Sequence, residues 1–219
     1  MTIVRFYGLE LAATPGAVMT PRPATEGLVD AALTAIGDRP AVVADVGTGS
    51  GAIAVAVAAS APQAHVWATD TSAHAVELAR ANVLRHGLSD RVTVRQGELL
   101  DPVPGQVDLV VANLPYLPAA DAALHPDLAA EPAEAVFAEG DGLDPYRRML
   151  DQSARRLRPD GALVLQLHRR VVATGRDELE GLSARLEGRG QTCPSSIECE
   201  GSTAARTVGR FAAAGDGPG

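Results

Sequence analysis

The chain has 219 residues, 46% of them hydrophobic and 21% charged, with 27 acidic residues against 19 basic ones and a formal charge of −8. That mix describes one globular domain long enough to bury a core unaided, and it excludes disorder, collagen-like sequence and a general electrostatic footprint for nucleic acid. The longest apolar run, residues 52–59, is about half what a bilayer requires, and the start lacks a signal peptide's basic and apolar stretches, so the expected location is the cytoplasm.

Residues 1–22 read as a linker or hairpin segment ahead of a catalytic domain over 23–214, with 215–219 as a disordered tail. Pro23 is placed to open a helix through Ile36, whose apolar stripe is Leu28, Val29, Leu33 and Ile36. Residues 41–45 form an apolar run that glycines break at once, and 51–60 read as an apolar helix. A second strand over 65–69 ends at Asp70, after which Thr71 and Ser72 can cap a helix to about His86, stopped by Gly87. Residues 92–96 alternate as a third strand, and 107–112 form a fourth.

From 113 to 139 the chain is rich in Pro, Ala and acid and reads as a long loop with short helical pieces, the kind that more often serves function than structure. A helix over about 145–157 should end at a turn, Arg158-Pro159-Asp160-Gly161, leading into the strand 162–167. A helix over roughly 172–188 follows, and weaker strands near 196–200 and 207–212 suggest a closing hairpin. Strands alternating with helices give a three-layer α/β domain, with ligand expected at the carboxyl ends of the strands.

The most informative stretch is Asp45-Val46-Gly47-Thr48-Gly49-Ser50-Gly51-Ala52, which follows a strand and opens a helix as a nucleotide-binding glycine loop must. It also fits the dinucleotide template GxGxxG/A. Asp45 weighs against a dinucleotide, because a carboxylate at the strand end would face the pyrophosphate across a short distance. S-adenosylmethionine carries an ammonium and a sulfonium instead, which an acid suits. Asp70 can accept hydrogen bonds from both ribose hydroxyls of either cofactor. After the fourth strand, Asn113-Leu114-Pro115-Tyr116 lies at the same sheet edge. Its carboxamide and neighbouring carbonyl can fix a planar amino or amide nitrogen, while Pro115 holds Leu114 extended and Tyr116 offers a flat face. This suits methyl transfer, which needs in-line placement more than a strong base.

These runs, with Phe6-Tyr7-Gly8-Leu9, Pro21-Arg22-Pro23-Ala24-Thr25-Glu26, Glu131-Pro132 and Asp141-Gly142-Leu143-Asp144-Pro145-Tyr146-Arg147, resemble the HemK/PrmC family of protein-glutamine N5-methyltransferases. Those enzymes modify the Gly-Gly-Gln glutamine of class-1 peptide release factors, and the matching runs stand in family order over about residues 6–168. The resemblance implies a class I S-adenosylmethionine-dependent methyltransferase (Rossmann-like) fold: a mostly parallel seven-stranded sheet in the order 3-2-1-4-5-7-6, with a C-terminal antiparallel hairpin. It implies cofactor contacts, with S-adenosyl-L-homocysteine as product, at Asp45, Gly47, Thr48, Gly49, Ser50, Gly51, Asp70, Thr71, Glu98, Leu99 and Asn113. The substrate amide would lie against Asn113, Leu114, Pro115 and Tyr116, the catalytic set, with Arg22 and Pro23 nearby.

The chain departs from the family in three ways. Leu114 stands where Pro is common, giving the Asn-Leu-Pro-Tyr spelling of rRNA adenine dimethyltransferases. Leu99 stands where an aromatic often packs on the adenine, and Gln166 and His168 replace the usual Glu and Gly of strand five. Family members also carry a small helical domain before the catalytic one, and this chain reads as starting at the linker between them.

Other chemistry finds little support. Cys193 and Cys199 lack CxxC spacing, and the histidines at 65, 74, 86, 125 and 168 pair with no other ligand, so no metal is assigned. Thr48 breaks the spacing of a nucleophile elbow around Ser50. Arg147, Arg148, Arg155, Arg156 and Arg158 read as a solvated helix face. The leading expectation is therefore methylation of a glutamine side chain in a protein, with a class-1 release factor as partner and no membrane. The alternatives are N-methylation of another planar nitrogen, in a small metabolite or an RNA adenine, and a cofactor-binding homologue that does not catalyse. The acidic charge and lack of Lys count against RNA. A nicotinamide oxidoreductase stands last.

Overall fold

The computed structural model describes residues 1–167, 191–192, 195–200, 204–210 and 212–213. The helix expected over 172–188, His168, Arg169, Arg170, Cys193 and the tail 215–219 lie outside the described residues.

The chain opens with a hairpin, β1 (Thr2–Phe6) and β2 (Leu9–Ala13), closed by Tyr7 and Gly8. Both residues have positive φ, 50° and 76°, as a two-residue turn that follows the strand twist requires. The turn is tied down where the backbone N–H of Tyr7 donates to Glu26 (2.7 Å) and the Tyr7 hydroxyl to Asp30 (2.7 Å). Pro23 opens a single 3-10 turn, Pro23–Thr25, before α1 (Glu26–Ile36), so the expected helix is present with a tighter first turn.

Then follow β3 (Ala41–Val46), α2 (Ala52–Ser60), β4 (Ala64–Asp70), α3 (Ala73–Arg85), β5 (Val92–Gln96) and β6 (Val107–Ala112), at the places the apolar pattern predicts. Ser72 caps α3 by accepting the Ala75 N–H. The long loop carries β7 (Leu117–Pro118), two 3-10 turns, α4 (Ala133–Val136) and β8 (Phe137–Ala138), and β7 pairs with β8 in parallel. After it come α5 (Asp144–Arg156), β9 (Leu157–Leu167), β10 (Gln191–Thr192), β11 (Ser195–Glu200), β12 (Ala204–Arg210) and β13 (Ala212–Ala213), which pairs with β10. The last main strand thus starts and ends before the 207–212 expected, and 212–213 belong to a separate small ladder.

One seven-stranded sheet runs β11-β12-β9-β6-β3-β4-β5, with β12 antiparallel to both neighbours. Counting the central strands in chain order, this is the order 3-2-1-4-5-7-6 that the family resemblance implies. Alternation builds three layers, because successive side chains of a strand face opposite sides. Val43, Leu109, Val111 and Val164 face α1, α2 and α3, whereas Val46, Val110, Leu163 and Leu165 face Tyr146, Met149 and Leu150 of α5. Residues 52–58 of α2 are all buried, as befits a helix apolar on every side.

The turn expected at 158–161 lies inside β9. Leu157 pairs with Val107 and Ala162 with Leu109, so 158–161 loop out against the single residue Asp108. Gly161 permits this; a Cβ there would sit 2.9 Å from the Arg158 carbonyl. Asp108 is buried and accepts from the Val42 N–H (2.7 Å), Arg39 (3.1 Å) and Arg158. Burial pushes its carboxyl up, but these donors outweigh burial and hold it below its ordinary value. Asp108→Ala is expected to cost about 1–3 kcal/mol in urea unfolding, because it strands the Val42 N–H and two guanidinium groups. The deficit should shrink as pH falls through the carboxylate range. A lowered folded pKa stabilises above the unfolded value and loses that contribution as the group protonates.

Candidate active site

The glycine loop leaves β3 at the carboxyl edge of the sheet. The N–H groups of Gly47 and Thr48 both donate to the Thr69 carbonyl (2.9 Å each), which pins the loop to the end of β4. Gly47 has φ 70° and passes so close to the following site that a Cβ would lie 2.7 Å from Leu114 Cδ2. Gly51 packs against α3, where a Cβ would meet Ala79 at 3.1 Å. Asn82 of α3 completes the support: its buried amide donates to the Ser50 carbonyl (2.8 Å) and holds Ala12 of β2 at both N–H and C=O. No sequence signal marked Asn82, since a polar residue on a helix is ordinarily solvated.

Asp45 corrects one expectation. Its carboxylate does not face the cleft; it is fully buried beneath the loop, where Oδ2 accepts from Thr48 Oγ1 (2.6 Å) and the Ala54 N–H (3.1 Å). Oδ1 has no hydrogen-bond partner among the described residues. Burial pushes the carboxyl up to about 7 against the pull of Thr48 and Ala54. The charge argument against a pyrophosphate therefore loses its geometric basis, and the choice of cofactor rests on other grounds.

This burial has a consequence for stability. Between the ordinary carboxyl value of 3.8 and about 7 the folded state keeps a proton that the unfolded state releases, so stability falls as pH rises through that window. Asp45→Asn keeps an acceptor for Thr48 and Ala54 while removing the titration. The melting temperature of the variant should gain on the wild type from about pH 4 to about pH 7 and then hold level; a constant difference would count against a raised Asp45.

Asp70 ends β4 at the cleft wall. Its Oδ2 accepts from the Gly49 N–H (2.9 Å) and its Oδ1 from the Ser72 N–H (2.9 Å), and the Thr71 N–H also draws on the carboxylate. Burial raises its carboxyl, against the pull of those amides. Opposite, Leu99 sits at φ 48°, a strained position for a branched side chain. Its carbonyl accepts from Thr69 Oγ1 (2.7 Å), and the next N–H, of Leu100, donates to Gln152 (2.8 Å). These bonds hold the strained turn, and Glu98 beside it is ion-paired with Arg148.

Asn113 leaves the end of β6, and its Nδ2 lies 3.5 Å from Thr25 Oγ1. Leu114 is buried, and both its N–H and its carbonyl lie 3.0 Å from the hydroxyl of Tyr146. Gly142, at φ 84°, lets the turn before α5 close on Tyr116; a Cβ there would be 2.5 Å from the Tyr116 carbonyl. Burial raises the Tyr116 phenol, with nearby Arg22 opposing. Arg22 pairs with Glu131 (3.4 Å), which also accepts from the Thr20 N–H (3.1 Å), tying residues before α1 to the long loop.

A cleft of about 260 Å³ gathers part of this set: Gly47, Gly49, Asp70, Thr71, Glu98, Leu99, Asn113, Leu114 and Pro115 line it. Asp45, Thr48, Ser50, Gly51, Tyr116, Arg22 and Pro23 do not; the first four support the loop from behind. The cleft also uses Val18, Met19, Pro132, Glu134 and Arg148, which sequence reasoning missed as lining residues. They come from two loops without periodicity and from the helix face read as solvated.

A parallel sheet with a glycine loop, a strand-end acid and a ligand-sized cleft along one edge is the framework of a class I methyltransferase. The structure is similar to the hMettl16 catalytic domain in complex with MAT2A 3'UTR hairpin 6, with TM-score 0.72 and 20% identity over 93% of this chain and 76% of that one, a likeness of fold. The chain belongs to the methyltransferase small domain family, whose profile matches residues 23–141. Among its relatives, the release factor glutamine methyltransferase of Gloeobacter violaceus is 46% identical over 166 residues, 73% of this chain and 57% of that protein. The one of Deinococcus radiodurans is 40% identical over 189 residues, 85% and 66%. The chain thus spans 57% and 66% of the lengths of these two relatives.

Proposed function

We propose that this chain is an S-adenosylmethionine-dependent N-methyltransferase that modifies the side-chain amide of a glutamine in a protein, the Gly-Gly-Gln glutamine of a class-1 release factor. One observation carries the reading: at the end of β6, Asn113 and Leu114 line the cleft side by side, which brings a side-chain carboxamide and a backbone carbonyl to neighbouring positions. With Nδ2 toward Thr25, the Asn113 Oδ1 is left as an acceptor, and a primary amide has two N–H groups for two acceptors. The identity shared with two release factor glutamine methyltransferases supports the same acceptor.

The cleft fits the cofactor. Asp70 lines the cleft as an acceptor for the ribose hydroxyls, Leu99 presents an apolar wall for a purine, and the backbone of Gly47 and Gly49 leaves room for the amino acid end. When bound, S-adenosylmethionine supplies an electrophilic methyl group on sulfur. Asn113 and Leu114 orient the acceptor nitrogen toward it, Pro115 keeps Leu114 extended, and the surrounding apolar side chains exclude water. No side chain need act as a strong base, because the reaction depends on in-line placement of the nitrogen and the methyl group.

The same two acceptors would hold an adenine amine, and Asn-Leu-Pro-Tyr is also the rRNA spelling, so RNA is the second reading. The charge of −8 opposes it. Labelled methyl transfer offered separately to unmethylated release factor, ribosomal RNA and small amides should mark only the protein. Label in the RNA fraction, lost steeply with salt, would overturn the proposal. Among the described residues no helix is long and apolar enough to cross a membrane.

A further inference from the structure

Tyr146 lies on the buried face of α5 with its ring 1% exposed. Its hydroxyl sits where three elements meet. It accepts the Leu114 N–H (3.0 Å), lies 3.0 Å from the Leu114 carbonyl and 2.7 Å from the Gln166 carbonyl on β9. A phenol has one proton, and the shorter contact places it on Gln166. The hydroxyl therefore grips Leu114 through its N–H and anchors it to β9, while the Leu114 carbonyl keeps lone pairs for a ligand.

We propose that Tyr146 is a positioning residue that sets the Leu114 carbonyl for the methyl acceptor. The inference rests on the amide-acceptor reading above, but the contact itself does not. The geometry explains why a hydroxyl is needed there: phenylalanine would fill the same space and leave the Leu114 N–H and the Gln166 carbonyl buried and unpaired. It also explains how the loop stays defined with Leu114 where the family commonly has proline. Rigidity that a second proline ring would supply locally comes instead from a hydrogen bond to α5. Burial holds the phenol well above its ordinary value, so it remains a neutral donor at working pH.

The test compares Tyr146→Phe with Ser153→Ala. Ser153 is another buried hydroxyl on α5, bonded only to its own helix at the Met149 carbonyl (2.8 Å) among the described residues. Tyr146→Phe should lower kcat about 10- to 100-fold with cofactor Kd changed less than about threefold, whereas Ser153→Ala keeps kcat near wild type. Amide hydrogen exchange supplies a readout independent of the acceptor. In wild type the Leu114 N–H should be strongly protected, and in Tyr146→Phe protection should drop at residues 113, 114 and 116 while α5 and β9 stay protected.

Unchanged kcat in Tyr146→Phe, an equal loss in Ser153→Ala, or loss of cofactor binding in proportion would each overturn the proposal. If wild type transfers no methyl to release factor, the acceptor reading fails, and exchange at Leu114 then decides this inference. An unprotected Leu114 N–H in the wild type overturns it even if no variant folds.

Discussion

Asn113→Ala is expected to lower kcat about 100-fold or more while cofactor Kd moves less than about threefold. The asymmetry follows from position. Asn113 is the last polar group before the Leu114 turn, and its amide is braced only by a 3.5 Å contact to Thr25 among the described residues, so removing it leaves the glycine loop and Asp70 as they are. On the proposed function, what is lost is one of two acceptors for the nitrogen to be methylated, a requirement felt most in the transition state. Steady-state kinetics with calorimetric cofactor binding separates the two parameters. Equal losses in both would mean that Asn113 holds the cofactor rather than the acceptor.

Asp70→Ala should do the reverse and weaken S-adenosylmethionine binding about 100-fold or more. Two effects add. On the proposed function, the acceptors for two ribose hydroxyls vanish, and the N–H groups of Gly49 and Ser72 lose the carboxylate that fixes the loop and the start of α3. At saturating cofactor, kcat should recover to within about tenfold of wild type, because the Asn113 and Leu114 acceptors remain in place. Titration calorimetry followed by turnover at high cofactor reads both. Wild-type affinity in the variant would remove Asp70 from the site.

Much of the fold was legible because parallel strands buried on both faces read as short apolar runs, and capping residues punctuate the helices between them. The sheet order came from the resemblance, whose motifs stand in family order. What was not legible shares a physical cause: long-range contacts leave no periodic trace. The β9 bulge looked like a turn because Pro159 and Gly161 mark turns, and nothing local shows that Leu157 pairs with Val107 before it. Asp45 read as a ligand because strand-end acids commonly face the cleft, whereas Thr48 and Ala54 draw it beneath the loop. Tyr146 was visible within a matching run, yet its bond to Leu114 crosses 32 positions. The part of the cleft lined by Val18, Met19, Pro132 and Glu134 depends on how two aperiodic loops meet.

The identity of the acceptor is decided by the mass of the Gly-Gly-Gln peptide from purified, unmethylated class-1 release factor after incubation with this chain and S-adenosylmethionine. A gain of one methyl on the glutamine side chain is expected, appearing about 100-fold or more slowly in Asn113→Ala. An unchanged peptide mass, with cofactor binding confirmed in the same sample, would contradict it.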